Sequence, residues 1–210
     1  MRPRIWIALL ITAAAGFAQS WEAGAAAGSG FNPSSAVTGS AGNADAGLAA
    51  APAFGLYLGQ DVSARFGGEI RYTFRPGDLR LRSAGTKVTF GGQSHLVHYD
   101  LLVYTAPPRS LIRPFLAAGA GARLTRGTGR ESSYQPLMQH ALLTRTRQVQ
   151  PVVSLGAGFK MTFGKKLLFR AEFRDYVSPF PTQVIAPAGG AKIDGWLHDI
   201  VPLIGLGWTF

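Results

Sequence analysis

The sequence predicts an all-β protein, an eight-stranded antiparallel up-and-down transmembrane β-barrel, on three observations. Segment after segment alternates apolar and polar residues with a period of two, and the connections between segments are long and short by turns. The composition, 27 glycines, 13 prolines and 11% aromatics in 210 residues, disfavours helices and suits strands divided by turns. Beyond residue 18 no apolar run approaches the ~20 residues of a spanning helix, so any membrane crossing has to be made by strands.

The first residues, MRPRIWIALLITAAAGFAQS, give a basic start at Arg2 and Arg4, an apolar run and small residues at Gly16 and Ala18. That is the order of a secretory signal cleaved near Ala18, too short for a membrane anchor. Residues 1–18 are therefore assigned to the signal and 19–210 to one barrel domain, outside the cytoplasm. Cleavage removes Arg2 and Arg4, lowering Lys+Arg from 21 to 19 against 11 acids and the formal charge from +10 to +8. An exported chain with no cysteine draws its stability from packing and backbone pairing, not disulfides. For a basic exported chain the expected partner is anionic lipid or glycolipid, not nucleic acid.

The elements follow in order. WEAGAAAGSGF, at 21–31, is the weakest segment. In 47–58 Leu48, Ala50, Pro52, Phe54, Leu56 and Leu58 oppose small residues and Tyr57. In 62–75 Phe66, Ile70, Tyr72 and Phe74 share one face, and Arg65, Glu69, Arg71 and Arg75 the other. The segment 88–104 sets Val97, Tyr99, Leu101 and Val103 against His98 and Asp100. In 111–126 Leu116, Ala118, Ala120 and Leu124 oppose Arg113 and Arg123. In 147–163 Val149, Val153, Leu155 and Phe159 face away from Gln150, Ser154, Gly156 and Lys160. In 166–177 Leu167, Phe169 and Phe173 oppose Arg170, Glu172 and Arg174. The last segment, 196–210, carries Trp196, Ile200, Ile204, Leu206, Trp208 and Phe210 on one face and Asp199, Gly205 and Gly207 on the side of the charges. Each pattern is that of a strand with one polar face.

Connections 32–46, 76–87, 127–146 and 178–195 are long; 59–61, 105–110 and 164–165 are short. A barrel with short periplasmic turns and long extracellular loops has that alternation. The first long loop, NPSSAVTGSAGNADAG, is low-complexity and expected to be flexible. A soluble lipocalin-like barrel would need the opposite face assignment. The charged face is also the glycine-rich one, which suits a cramped eight-strand lumen, while Phe, Leu and Val all round suit lipid.

These residues resemble the small eight-stranded outer-membrane barrels of the OmpA/OmpX type. The closing GLGWTF, with Leu206, Trp208 and terminal Phe210, is similar to the strand by which such proteins are recognised by the outer-membrane assembly machinery. The resemblance implies an outer-membrane location, no cofactor, a monomer, and a structural or surface-interaction role. The periplasmic cell-wall-binding domain of OmpA proper has no counterpart in the sequence, so that property does not carry over.

Three constellations bear on function. Arg65, Glu69, Arg71, His98, Asp100, Arg113, Arg123, Lys160, Arg170, Glu172, Arg174 and Asp199 are expected to point inward and pair across a plugged lumen; a small pore or anion site is the competing reading. Arg75, Arg80, Arg82, Lys87, Arg126, Arg130, Arg145 and Arg147 lie in or beside the long loops, where lipopolysaccharide phosphates would meet them. Some small outer-membrane barrels are lipid-A-modifying enzymes, but only His98 and Asp100 share a face and no serine is placed with them, so no catalytic residue is assigned. Four scattered histidines without cysteine give no metal cluster.

Overall fold

A computed structural model describes residues 20–108, 110–164 and 166–210; the signal-peptide assignment lies outside the described residues. Among the described residues fifteen strands follow in chain order: β1 (Trp21–Gly30), β2 (Ser35–Gly39), β3 (Gly42–Leu48), β4 (Ala51–Asp61), β5 (Phe66–Pro76), β6 (Leu79–Ser83), β7 (Thr86–Phe90), β8 (Gly92–Tyr104), β9 (Ile112–Gly127), β10 (Ala141–Leu143), β11 (Arg147–Phe163), β12 (Leu167–Pro179), β13 (Ile185–Pro187), β14 (Lys192–Ile193) and β15 (Trp196–Thr209).

Eight of them close a barrel in the order β1-β15-β12-β11-β9-β8-β5-β4. All neighbours are antiparallel, and the ring shuts where β1 pairs β15, from Glu22 opposite Thr209 to Gly28 opposite Leu203. Trp21 and Phe210 extend this seam by exchanging two backbone hydrogen bonds, 3.0 and 2.9 Å. With the sheet closed, no strand edge of the barrel is left without a partner, as a low-dielectric surround demands.

The period-two pattern now has a direction. Phe54, Leu56, Ile70, Tyr99, Leu116, Val149, Phe173, Ile204 and Leu206 stand on the outer surface and are exposed. Trp21, Phe66, Phe163, Trp208 and Phe210 form an aromatic collar at the short-turn end, with Phe31 and Trp196 near the other end; such girdles sit at the two interfaces of a membrane barrel. An apolar outside and a charged inside exclude the lipocalin-like arrangement.

Two expectations are corrected. The second strand runs on to Asp61, so the turn falls at 62–65, where the Val62 and Ser63 amides donate to the Phe66 carbonyl, each at 2.9 Å. Arg65 therefore sits exposed in a turn instead of inside the lumen. The first long loop is no flexible tract either. It forms the hairpin β2–β3 and joins a five-stranded sheet, β14-β2-β3-β6-β7, while β10 and β13 pair beside it. This cap has its own apolar core, including Val37, Ala46, Leu79, Leu81, Phe90, Leu143, Val184, Ile185 and Leu197. Its β6–β7 hairpin turns through Ala84 and Gly85, both at positive φ (47° and 81°), the geometry of a two-residue type I′ turn.

Candidate functional site

The interior is layered, and each layer follows from the inward residues of successive strands. At the short-turn end Leu102, Tyr104, Phe115 and Ala117 form a small apolar cluster. Arg113 lies over the Tyr104 ring, its guanidinium carbon 3.4 Å from the centroid, and pairs with Asp61. Lys160 donates to the Tyr104 hydroxyl at 2.8 Å and pairs with Glu22. Cations stacked on aromatic faces and bonded to acids fill this end of the lumen.

Above it lies the central network. Glu69 accepts from Arg71 Nε at 3.0 Å and Nη2 at 2.8 Å, and from Arg170. Glu172 accepts from Arg71 Nη1 at 2.6 Å, Arg170 Nη2 at 3.0 Å and Arg174 Nε at 2.9 Å. Arg174 also reaches Asp100 and donates to Ser154 Oγ at 3.2 Å, and the far oxygen of Asp100 lies 3.1 Å from His98 Nδ1. All these charged side chains are buried, so the carboxylates and guanidiniums compensate one another where water does not. Space for them comes from glycine: a Cβ on Gly156 would lie 2.5 Å from Arg174 Cδ, and one on Gly119 would lie 2.2 Å from Asp100 Oδ1.

A third layer is apolar again: Ala26, Ala53, Leu96, Val152, Tyr176, Val201 and Leu203. Over it comes a second polar layer at the long-loop end. Arg75 donates to the carbonyls of Gly30 at 2.8 Å and Ala49 at 2.7 Å, and pairs with Asn32 and one oxygen of Asp199. Arg123 reaches the other Asp199 oxygen through Nη2 at 3.0 Å. The apolar core of the cap closes this end, with Leu197 on β15 two residues above Asp199.

Of the residues expected inside, Glu69, Arg71, His98, Asp100, Arg113, Arg123, Lys160, Arg170, Glu172, Arg174 and Asp199 are brought together in the lumen and buried. Arg65 is not. Arg75, expected at the rim among the loop arginines, is 1% exposed and belongs to the interior instead. Strand parity carries this correction: β5 places Arg75 on the face of Arg71 and Glu69. Glu22 and Asp61 escaped the sequence reading, although Glu22 shares its parity with Gly24 and Ala26 and could have been found by it.

The other basic residues are placed outside. Arg126 and Arg147 are direct cross-strand partners on β9 and β11, both exposed on the outer face at the long-loop end. Arg82 stands between Asp45 and Lys87 on the solvent face of the cap sheet. Arg80, on the same face, donates to Ser34 Oγ at 3.1 Å; partial burial lowers its affinity for a proton, Arg82 adds to this and Asp45 opposes it. Arg130 and Arg145 are exposed, and Glu131 accepts the Arg145 amide at 2.6 Å. A histidine pair unforeseen in sequence also faces outward, His198 Nδ1 lying 2.8 Å from Asp175 Oδ2.

A closed antiparallel eight-strand ring with an apolar exterior, aromatic collars and a charge-filled interior defines an outer-membrane β-barrel. The family model described as "Outer membrane protein beta-barrel domain" matches residues 6–197, and the chain belongs to that family. Among solved structures it is similar to Neisserial surface protein A (TM-score 0.57, 11% identity, covering 91% of this chain and 97% of that one). It is likewise similar to the outer membrane protein OprG from Pseudomonas aeruginosa (TM-score 0.56, 14% identity, covering 91% and 95%). At these identities the likeness is one of fold. No curated protein sequence matches the chain.

Proposed function

We propose that this is a non-conducting outer-membrane protein with a structural and surface-contact role, its long-loop end outside the cell. The observation that carries the reading is the filled interior. The lumen alternates ionic and apolar layers along its length, and the cap closes the end where long loops lie. A porin needs a continuous aqueous path, which an eight-strand lumen packed with side chains does not leave. Purified protein inserted in a planar bilayer should give no conductance steps; regular steps of a stable size would sink the proposal.

The contact role belongs to the outside. Arg126 and Arg147 sit side by side just above Leu124 and Val149, at the height where lipid phosphates would begin, and Arg80, Arg82, Lys87, Arg130 and Arg145 decorate the cap above. Lipopolysaccharide is the partner this arrangement suits, since guanidinium groups pair phosphate oxygens in twos. The double variant R126Q/R147Q should assemble normally and retain less lipopolysaccharide after detergent extraction, by roughly threefold to tenfold if one phosphate contact is lost. Unchanged retention would remove these two residues from the contact. Phe210, with Trp208 and Leu206, is assigned to recognition by the assembly machinery, so Phe210→Ala should lower the assembled protein while export continues.

A further inference from the structure

The upper polar layer is out of charge balance. At the short-turn end Arg113 and Lys160 meet Asp61 and Glu22, and in the central network Arg71, Arg170 and Arg174 meet Glu69, Glu172 and Asp100. Above the Leu96 layer, Arg75 and Arg123 share the carboxylate of Asp199, the single buried one of that layer among the described residues. One positive charge is left over, and it lies between two apolar clusters, one in the lumen and one in the cap. A buried charge without a counter-charge is among the most costly things a fold can hold.

The surplus falls on Arg123. Arg75 has both terminal nitrogens engaged by four oxygens and only its Nε unpartnered, whereas Arg123, 0% exposed, uses Nη2 alone and leaves Nε and Nη1 without a partner among the described residues. The hydroxyls of Ser94, Thr125 and Ser178 are buried at the same end of the lumen and have no partner among the described residues. Ser94 is the direct cross-strand neighbour of both Arg75 and Thr125, and Thr125 lies one inward position above Arg123 on β9. Gln150, beside Arg123 across the β9–β11 ladder, offers an unpartnered Oε1 that can accept one of these donors, but it is neutral and cannot supply the missing charge.

We infer that the lumen holds a small monovalent inorganic anion of the chloride class in this layer, bound by Arg123 and by the hydroxyls of Ser94 and Thr125. Unpartnered guanidinium donors, a positive charge that no carboxylate balances, and an apolar floor and ceiling together suit an anion. A small inorganic ion is the class this layer admits; a phosphorylated headgroup is not, because the apolar core of the cap covers the layer. The site is independent of the surface contacts proposed for Arg126 and Arg147 and stands or falls separately.

The test uses the full protein extracted in detergent from outer membranes. The temperature at which the compact gel band is lost is followed in chloride and in gluconate at equal ionic strength. That temperature should rise saturably with chloride and stay flat with gluconate, since binding to the folded state alone stabilises it by mass action. S94D, which puts a carboxylate where the anion would sit, should hold the high temperature in both salts. Crystals grown in bromide should show an anomalous peak within hydrogen-bond distance of Arg123 Nη1. Equal behaviour of the wild type in the two salts, a chloride dependence surviving in S94D, or bromide absent from this layer would overturn the inference. R123Q is the direct deletion, and if it fails to assemble S94D and the bromide peak still decide.

Discussion

The barrel and its cap solve the same packing problem with opposite chemistry. Both are antiparallel sheets with one face turned to a closed interior, yet the middle of the barrel interior is filled by Glu69, Arg71, Arg170, Glu172 and Arg174, and the cap interior by Leu79, Leu81, Leu143 and Val184. The inversion takes place within a few residues. On β5 the last inward side chain is Arg75; on β6 the next are Leu79 and Leu81, with Arg80 and Arg82 now pointing to solvent. What changes between the two is the surround. Where hydrocarbon lies outside, the apolar half of each strand goes outward and the narrow lumen receives the polar half; where water lies outside, the apolar half is buried for the ordinary reason.

Three substitutions would break or sharpen that contrast. The largest effect is expected from Glu69→Ala, which leaves Arg71, Arg170 and Arg174 around a missing carboxylate. Breaking a buried ionic cluster from one side costs about 3–5 kcal/mol, and the midpoint of urea unfolding, followed by gel mobility without boiling, should fall accordingly. A midpoint close to wild type would mean that water enters the lumen and screens the arginines.

Leu81→Ala comes next. Leu81 is fully buried in the cap, and such truncations cost roughly 2–5 kcal/mol. Here the damage should be local: protease should cut the long loops faster while the barrel keeps its heat-dependent mobility. Simultaneous loss of the barrel would show that cap and barrel unfold as one unit. The smallest effect concerns Ala84, an exposed residue held at positive φ in the β6–β7 turn. Ala84→Gly should relieve about 1 kcal/mol of left-handed strain and slow loop proteolysis slightly; no change would place the cap's weak point elsewhere.

The barrel was the legible part. Charges segregated to one parity over 147–163 and 166–177 give strand, face and direction at once, and β11 spans Arg147–Phe163 as its alternation requires. The cap was hidden because its first hairpin alternates among small residues, Ala36, Val37, Thr38 and Ala44, Asp45, Ala46, which carry little contrast in polarity. Its core is also assembled from all four long connections, so no window of sequence contains it. Arg65 was misplaced by a turn displaced along the chain, a change of register that period alone does not fix. The layer around Arg123 and Asp199 joins strands 76 positions apart in sequence; alternation says that both point inward, and only the closed ring says that they meet.

The seam between β1 and β15 has a kinetic meaning. It joins the beginning of the described chain to its end, the pairing with the greatest sequence separation in the fold, and a ring of strands gains its final ladder only when that pairing forms. Until then both partners are open edges able to recruit other chains, and the high contact order makes the step slow. Once Trp21 and Phe210 have met, no strand can peel from an end, so escape from the native state requires a whole ladder to open at once. Slow closure and slower opening make this a protein whose persistence is set by a barrier more than by an equilibrium.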